Sequence, residues 1–197
     1  MPAAFRFVAL SLLAGAAACR AADAAPPAAA ASTPAATYAP IALEAGDWDV
    51  AVAFFDPVSG APTGGAHGRQ VNTLLKNGHW IVNELSVYGA DGKTVDFQGH
   101  GTWGWDPVGR EYVDTWVDTN DGPPRIDHGF WVADQQTMYW SAQQPDGEGH
   151  MVTYRMTERF AGATRTLEFF QTALQSGRPV KLAEMKFTRR AAPATGS

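Results

Sequence analysis

Apolar and polar positions alternate with a period of two along most of the chain between residues 47 and 188, and no segment there sustains a helical period. Over residues 47–55, Trp48, Val50, Val52 and Phe54 fall on one face while Asp47 and Asp49 fall on the other. That is the pattern of a half-buried antiparallel strand. Similar segments, rich in Trp, Tyr, Val and Thr, recur about every 10 to 16 residues, the spacing of an all-β barrel or sandwich. They predict ten strands, over residues 47–55, 66–75, 80–88, 95–105, 111–118, 126–132, 138–143, 150–158, 165–172 and 180–188. The central break, Asp106-Pro107-Val108-Gly109, has Pro at the second turn position and Gly at the fourth, which suits a tight hairpin. Asn77-Gly78 suits a type I′ turn. Leu43-Glu44-Ala45 offers at most a short helical turn, placed to stopper one end of a barrel.

Short connections make sequential strands pair, giving an up-and-down meander. Such a meander leaves two exposed edges unless its first and last strands meet. The predicted fold is therefore all-β, a single closed antiparallel up-and-down barrel of about ten strands, with a split sandwich as the alternative. At that strand number the lumen is wider than side chains alone comfortably fill, so a cavity is physically reasonable. An integral outer-membrane barrel alternates in the same way. Against it, several of these strands hold only about seven residues, short for a tilted membrane strand.

Ahead of the strands, Arg6 precedes an apolar run over residues 7–13 that gives way to small residues and Cys19. This is a secretory signal, too short to span a bilayer comfortably. Cys19 is the only cysteine, so no internal disulfide can form. Ala16-Ala17-Ala18-Cys19 resembles a bacterial lipoprotein signal, in which the cysteine becomes the lipidated first residue of the mature chain. Ala16 stands where Leu is usual. Arg20 and Ala21 lack the Asp that often retains lipoproteins in the inner membrane, so the resemblance implies the outer one. Ordinary cleavage after Ala18 or Ala22 is the alternative, giving a soluble periplasmic or secreted protein. Four segments result: a signal over residues 1–19, an Ala/Pro-rich tether over 20–40, the barrel over 41–189 and a flexible tail over 190–197. The expected address is the periplasmic side of the cell envelope, with the lipid as the only membrane contact.

Composition narrows the partners. A net charge of -5, a pI near 5.4 and no basic cluster beyond Arg189-Arg190 argue against nucleic acid, which needs a basic face. Hydrophobic residues make up 45 % of the chain, ample for one core. The five histidines, at 67, 79, 100, 128 and 150, have no metal-ligand spacing, so neither a metal nor a cofactor is expected. There is no Gly-x-Ser-x-Gly nucleophile motif.

At the central hairpin the chain resembles the bacterial domain-of-unknown-function 1579 family. Its opening segment is matched by Leu43, Gly46 and Trp48. Its characteristic strand pair is matched by Gly99, Gly101, Thr102, Gly104, Trp105 and Asp106, then Tyr112, Val113, Thr115, Trp116 and Asp118. Trp105 replaces the usual Tyr, and Glu111 stands where Lys is common. The resemblance covers about residues 41 to 189 and implies a lipocalin-like, calycin-type barrel. It implies no particular chemistry, because fold does not give function.

The candidate ligand-binding residues are Trp103, Trp105, Tyr112, Asp114, Trp116 and Asp118. Tyr112, Asp114, Trp116 and Asp118 share one face of the fifth strand, and Trp103 with Trp105 share one face of the fourth. Two readings fit that face: a polar and aromatic wall of a ligand cavity, or a solvent face whose charges oppose misregister. The seven tryptophans can line a stacking site or fill the barrel. The favoured function is a non-catalytic binding module for a small, partly apolar ligand. One alternative is an enzyme using Asp114, Asp118, Glu84, His100 or His128 as acid or base; another is a structural or protein-interaction module.

Overall fold

A computed structural model describes residues 34–120, 122–145, 149–172 and 177–191. The order is α1 (Pro34–Glu44), β1 (Gly46–Phe55), β2 (Pro62–Leu74), β3 (Trp80–Tyr88), β4 (Val95–Asp106) and β5 (Glu111–Asp118). It continues with β6 (Arg125–Val132), a 3-10 turn (Ala133–Gln135), β7 (Thr137–Pro145), β8 (Met151–Ala161), β9 (Thr164–Thr172) and β10 (Pro179–Arg189). Each strand pairs antiparallel with its sequence neighbours, and β1 pairs with β10, so the sheet is a closed ten-stranded up-and-down barrel. The split sandwich is excluded.

Alternation decides which side chains face the lumen. On β1, Trp48, Val50 and Val52 are buried inside, and Phe54 reaches the rim. They stack with Phe187, Leu85 and Val87 into one apolar cluster. A second cluster, at the α1 end, joins Ile41, Ile81, Trp103, Tyr112, Met138, Trp140 and Met156. The outer wall carries ion pairs such as Arg69–Asp47 and Arg159–Glu168 on the strands.

Cross-strand tryptophan–glycine pairs recur in this barrel. Trp116 stands opposite Gly101, Trp80 opposite Gly104 and Trp140 opposite Gly129. A Cβ added at Gly104 would lie 2.5 Å from the Trp80 ring, so the indole occupies the place of the missing side chain.

The N-terminal boundary differs from expectation. An eleven-residue helix, rather than one turn at Leu43-Glu44-Ala45, runs through the stretch read as the end of the tether. Two prolines hid it. Pro34 opens the helix, where a missing N–H costs nothing. Pro40 lies inside it, and full burial of Pro40 and Ile41 offsets the lost backbone bond. Tyr38 stacks on His79 at 3.9 Å, and Arg189 donates to the carbonyls of Leu43, at 2.6 Å, and Ala45. Gly46, at a φ of 129°, lets the chain turn from α1 straight into β1. The secretory signal, Cys19, the tether up to residue 33 and the tail from residue 192 lie outside the described residues.

Candidate functional site

α1 closes one end of the barrel, and its last residue, Glu44, enters the lumen. The Glu44 carboxylate accepts hydrogen bonds from Asn72 at 3.3 Å, Asn83 at 3.2 Å, Arg165 at 2.8 Å and the Trp103 indole. Its backbone carbonyl accepts from the Trp48 indole at 2.8 Å and from Asn72 at 3.0 Å. One side chain therefore ties the helix to β2, β3, β4 and β9. Arg165 Nη1 also donates to Glu158, and the guanidinium stacks 3.7 Å from the Phe187 ring centroid. All three charged side chains are almost wholly buried. Burial raises the Glu44 carboxyl to about 8, helped by Glu158 and opposed by Arg165 and the Trp103 N–H.

Above this floor lies a cavity of about 490 Å³. Its wall is mostly apolar, including Val52, Leu85, Phe97, Met156, Leu167 and Phe169. It extends to the end opposite α1, where Phe54, 41 % exposed, and Asn120 line it. The polar groups on the wall are few: Gln70, Asn83, Asp114, Asp118, Arg125 and the Glu44–Arg165–Glu158 cluster are the main ones.

Asp114 and Asp127 face each other across β5 and β6. Arg125 turns its Nε to both oxygens of Asp127, at 2.9 Å each, and its guanidinium lies 5.3 Å from the Phe169 ring centroid. Asp114 is left with Oδ1 buried and without a hydrogen-bond partner. Burial first, then repulsion from Asp127, raises the Asp114 carboxyl to about 7, against the pull of Arg125. Arg165 likewise keeps Nε and Nη2 buried and unpartnered, and Asn83 keeps Oδ1 so. Buried polar groups are nearly always paired in folded proteins. Three such groups lie on one cavity wall.

The sequence candidates separate along the barrel axis. Trp103, Asp114, Trp116 and Asp118 line the cavity. The Trp116 indole donates to Asp118 Oδ2 at 2.9 Å. Trp105 and Tyr112 stand instead at the closed end, where their rings meet edge to face and the Tyr112 hydroxyl donates to the Thr37 carbonyl at 2.7 Å. Glu84, His100 and His128 are exposed on the outer wall, and His128 pairs there with Glu111 at 3.0 Å. Those three do not converge with Asp114 and Asp118. Among the described residues no group of three His, Cys, Asp or Glu is placed to hold a metal ion.

Sequence reasoning passed over Glu44, Arg125, Asp127, Glu158 and Arg165. A signal existed for three of them. Arg165 shares its parity with Leu167 and Phe169, Glu158 with Met156 and Phe160, and Asp127 with Gly129 and Trp131. A charge in register with an apolar stripe is a charge pointing into the core.

No curated protein matches the chain. Residues 33–189, well over half of the chain, match the family described as Protein of unknown function (DUF1579), and the chain belongs to that family.

Proposed function

We propose that the barrel is a non-catalytic binding module that holds a small, partly apolar ligand in its lumen. The observation that carries this reading is the cavity itself: about 490 Å³, stoppered by α1 at one end, reaching the rim at the other, walled by apolar side chains with a few polar groups. Ligand pockets have this composition, with apolar contact for affinity and sparse polar groups for orientation. The tryptophans do not fill the lumen: Trp103, Trp116 and Trp140 line the cavity that remains, and Trp80 lies on the outer wall over Gly104. A catalytic reading gains less support, since Glu84, His100 and His128 stand outside while Asp114 and Asp118 stand inside.

The test is native mass spectrometry of the full chain purified from its own cells, with a titration of the neutral apolar dye N-phenyl-1-naphthylamine. One equivalent of dye should bind and be displaced by a co-purified ligand. The variant Val87→Trp places an indole in the cavity and should abolish dye binding without unfolding the barrel. Failure of the wild-type protein to bind dye, together with absence of any co-purified ligand, would leave a structural or protein-interaction module.

We further propose that this module works on the periplasmic side of a bacterial envelope, held by a lipid on Cys19. The sequence around Cys19 supports that address. Intact mass of the protein from an envelope fraction decides it: a mature chain beginning beyond residue 19 would exclude lipidation, and Cys19→Ser should release the domain from membranes.

A further inference from the structure

Two guanidiniums serve four buried carboxyl groups in this lumen. Arg165 is shared by Glu44 and Glu158, and Arg125 is paired with Asp127 while Asp114 stands opposite. The two sets are not equivalent. Four donors converge on the Glu44 carboxyl group, so its oxygens are met by hydrogen bonds. Asp114 Oδ1 has none. A buried carboxylate oxygen with no donor is costly unless a proton or a cation joins it.

The surroundings of that oxygen favour a cation with an apolar body. Trp116 and Asp114 lie over the same glycine: a Cβ at Gly101 would sit 2.9 Å from the indole and 3.3 Å from Asp114 Oδ1. The ring face beside the carboxylate is where an ammonium gains cation–π attraction. Asp118, hydrogen-bonded to the same indole, adds a second negative group further along β5, and Phe97 and Val87 continue the wall as apolar surface. The whole chain is acidic as well, at -5. An anionic ligand meets the opposite situation. At the free Nε and Nη2 of Arg165 it would be the third carboxylate on one guanidinium.

Building on the binding reading above, we propose that the lumenal ligand is an amphipathic amine. Its ammonium group is held by Asp114 and the face of Trp116, and its apolar part lies along Phe97, Leu85 and Val87. A neutral oxygen on the same ligand, a hydroxyl or a carbonyl, is the natural partner for the free edge of Arg165. No proton or electron is transferred; the site holds the cation as it arrives.

Three ten-carbon probes that differ only in the head group test this: decylamine, decanol and decanoate, titrated into the full chain at pH 8 and followed by tryptophan fluorescence. Decylamine should bind at least tenfold more tightly than decanol, and decanoate most weakly. Asp114→Asn should cost decylamine at least tenfold while changing decanol less than twofold, the decanol result showing that the variant is folded and its cavity intact. Tighter binding of decanoate than of decylamine would overturn the proposal, as would an unchanged amine affinity in Asp114→Asn. If decanol and decylamine bind equally, the cavity reading stands and the cation reading falls. If none of the three binds, both fall.

Discussion

Gly101 lies directly opposite Trp116 across β4 and β5, and the indole covers the face where a side chain at 101 would stand. Two residues away, a Cβ at Gly99 would run into the far edge of the same ring. The Gly-x-Gly pattern in this strand is therefore a seat for the indole, and it places Trp116 and Asp114 side by side on the cavity wall.

Gly99→Ala should accordingly destabilise the barrel by about 1–3 kcal/mol, the cost of overpacking a filled site. The sign is informative, because Ala replacing Gly within a strand otherwise gains roughly 0.5–1 kcal/mol. Urea midpoints for Gly99→Ala alone and in a Trp116→Leu background decide it. The substitution should become neutral or stabilising once the indole is gone; a penalty that survives in the double variant would refute the seat.

Arg165 offers a second test, with a surface pair as its control. Arg165→Met removes the guanidinium that the buried Glu44 and Glu158 share, a loss of about 3–5 kcal/mol. Arg159→Met breaks only the Arg159–Glu168 pair on the outer wall, where Arg159 is 55 % exposed, and should cost less than about 1 kcal/mol. Chemical denaturation separates the two arginines.

The strands were legible because period-two alternation is strong wherever one face meets a core and the other meets water, as on β1 from Trp48 to Phe54. Closure followed from the edge problem alone. The helix was not legible. Its stretch, PAATYAPIALE, carries two prolines and no clean apolar stripe, and what makes it helical is tertiary: Pro40 and Ile41 buried, Glu44 gripped by four donors. The site was legible by half. The parity of Asp114, Trp116 and Asp118 puts them on one face, but parity does not say how far along the axis the cavity extends, so it also groups with them Tyr112 and Trp105, which pack behind Trp103 at the closed end. Arg165 and Glu44 are 121 positions apart, and only closure of the barrel brings them together.

The helix should then be an integral part of the barrel's stability. Ile41→Ala removes a wholly buried side chain from the closed end and should cost about 2–5 kcal/mol. Tyr112→Phe removes only the hydroxyl bond to the Thr37 carbonyl, worth about 1 kcal/mol. Thermal unfolding of both should remain a single transition. An Ile41→Ala protein as stable as wild type would show that α1 merely rests on the barrel.

Asp114 makes the stability of the empty barrel depend on pH. Its carboxyl is raised from the ordinary 3.8 to about 7 in the folded chain, so between those values the folded state holds a proton that the unfolded chain has released. The stabilisation from that proton is complete below 3.8 and is lost as pH rises through 7. Asp127, Arg125 and Glu158 face the same carboxyl, so the absolute curve belongs to the group, and the informative quantity is the difference from Asp114→Asn. Within the window, wild-type stability should fall more steeply than the variant's by about 1.4 kcal/mol per pH unit, the slope of one proton. Above pH 7 the variant should be the more stable of the two, because it buries no uncompensated charge. Denaturant midpoints from pH 4 to pH 8.5 measure both curves, and parallel curves would place Asp114 in water. Adding decylamine to the wild type should flatten its curve toward that of Asp114→Asn, because an ammonium beside the carboxylate keeps the folded state charged and removes the reason to take up a proton.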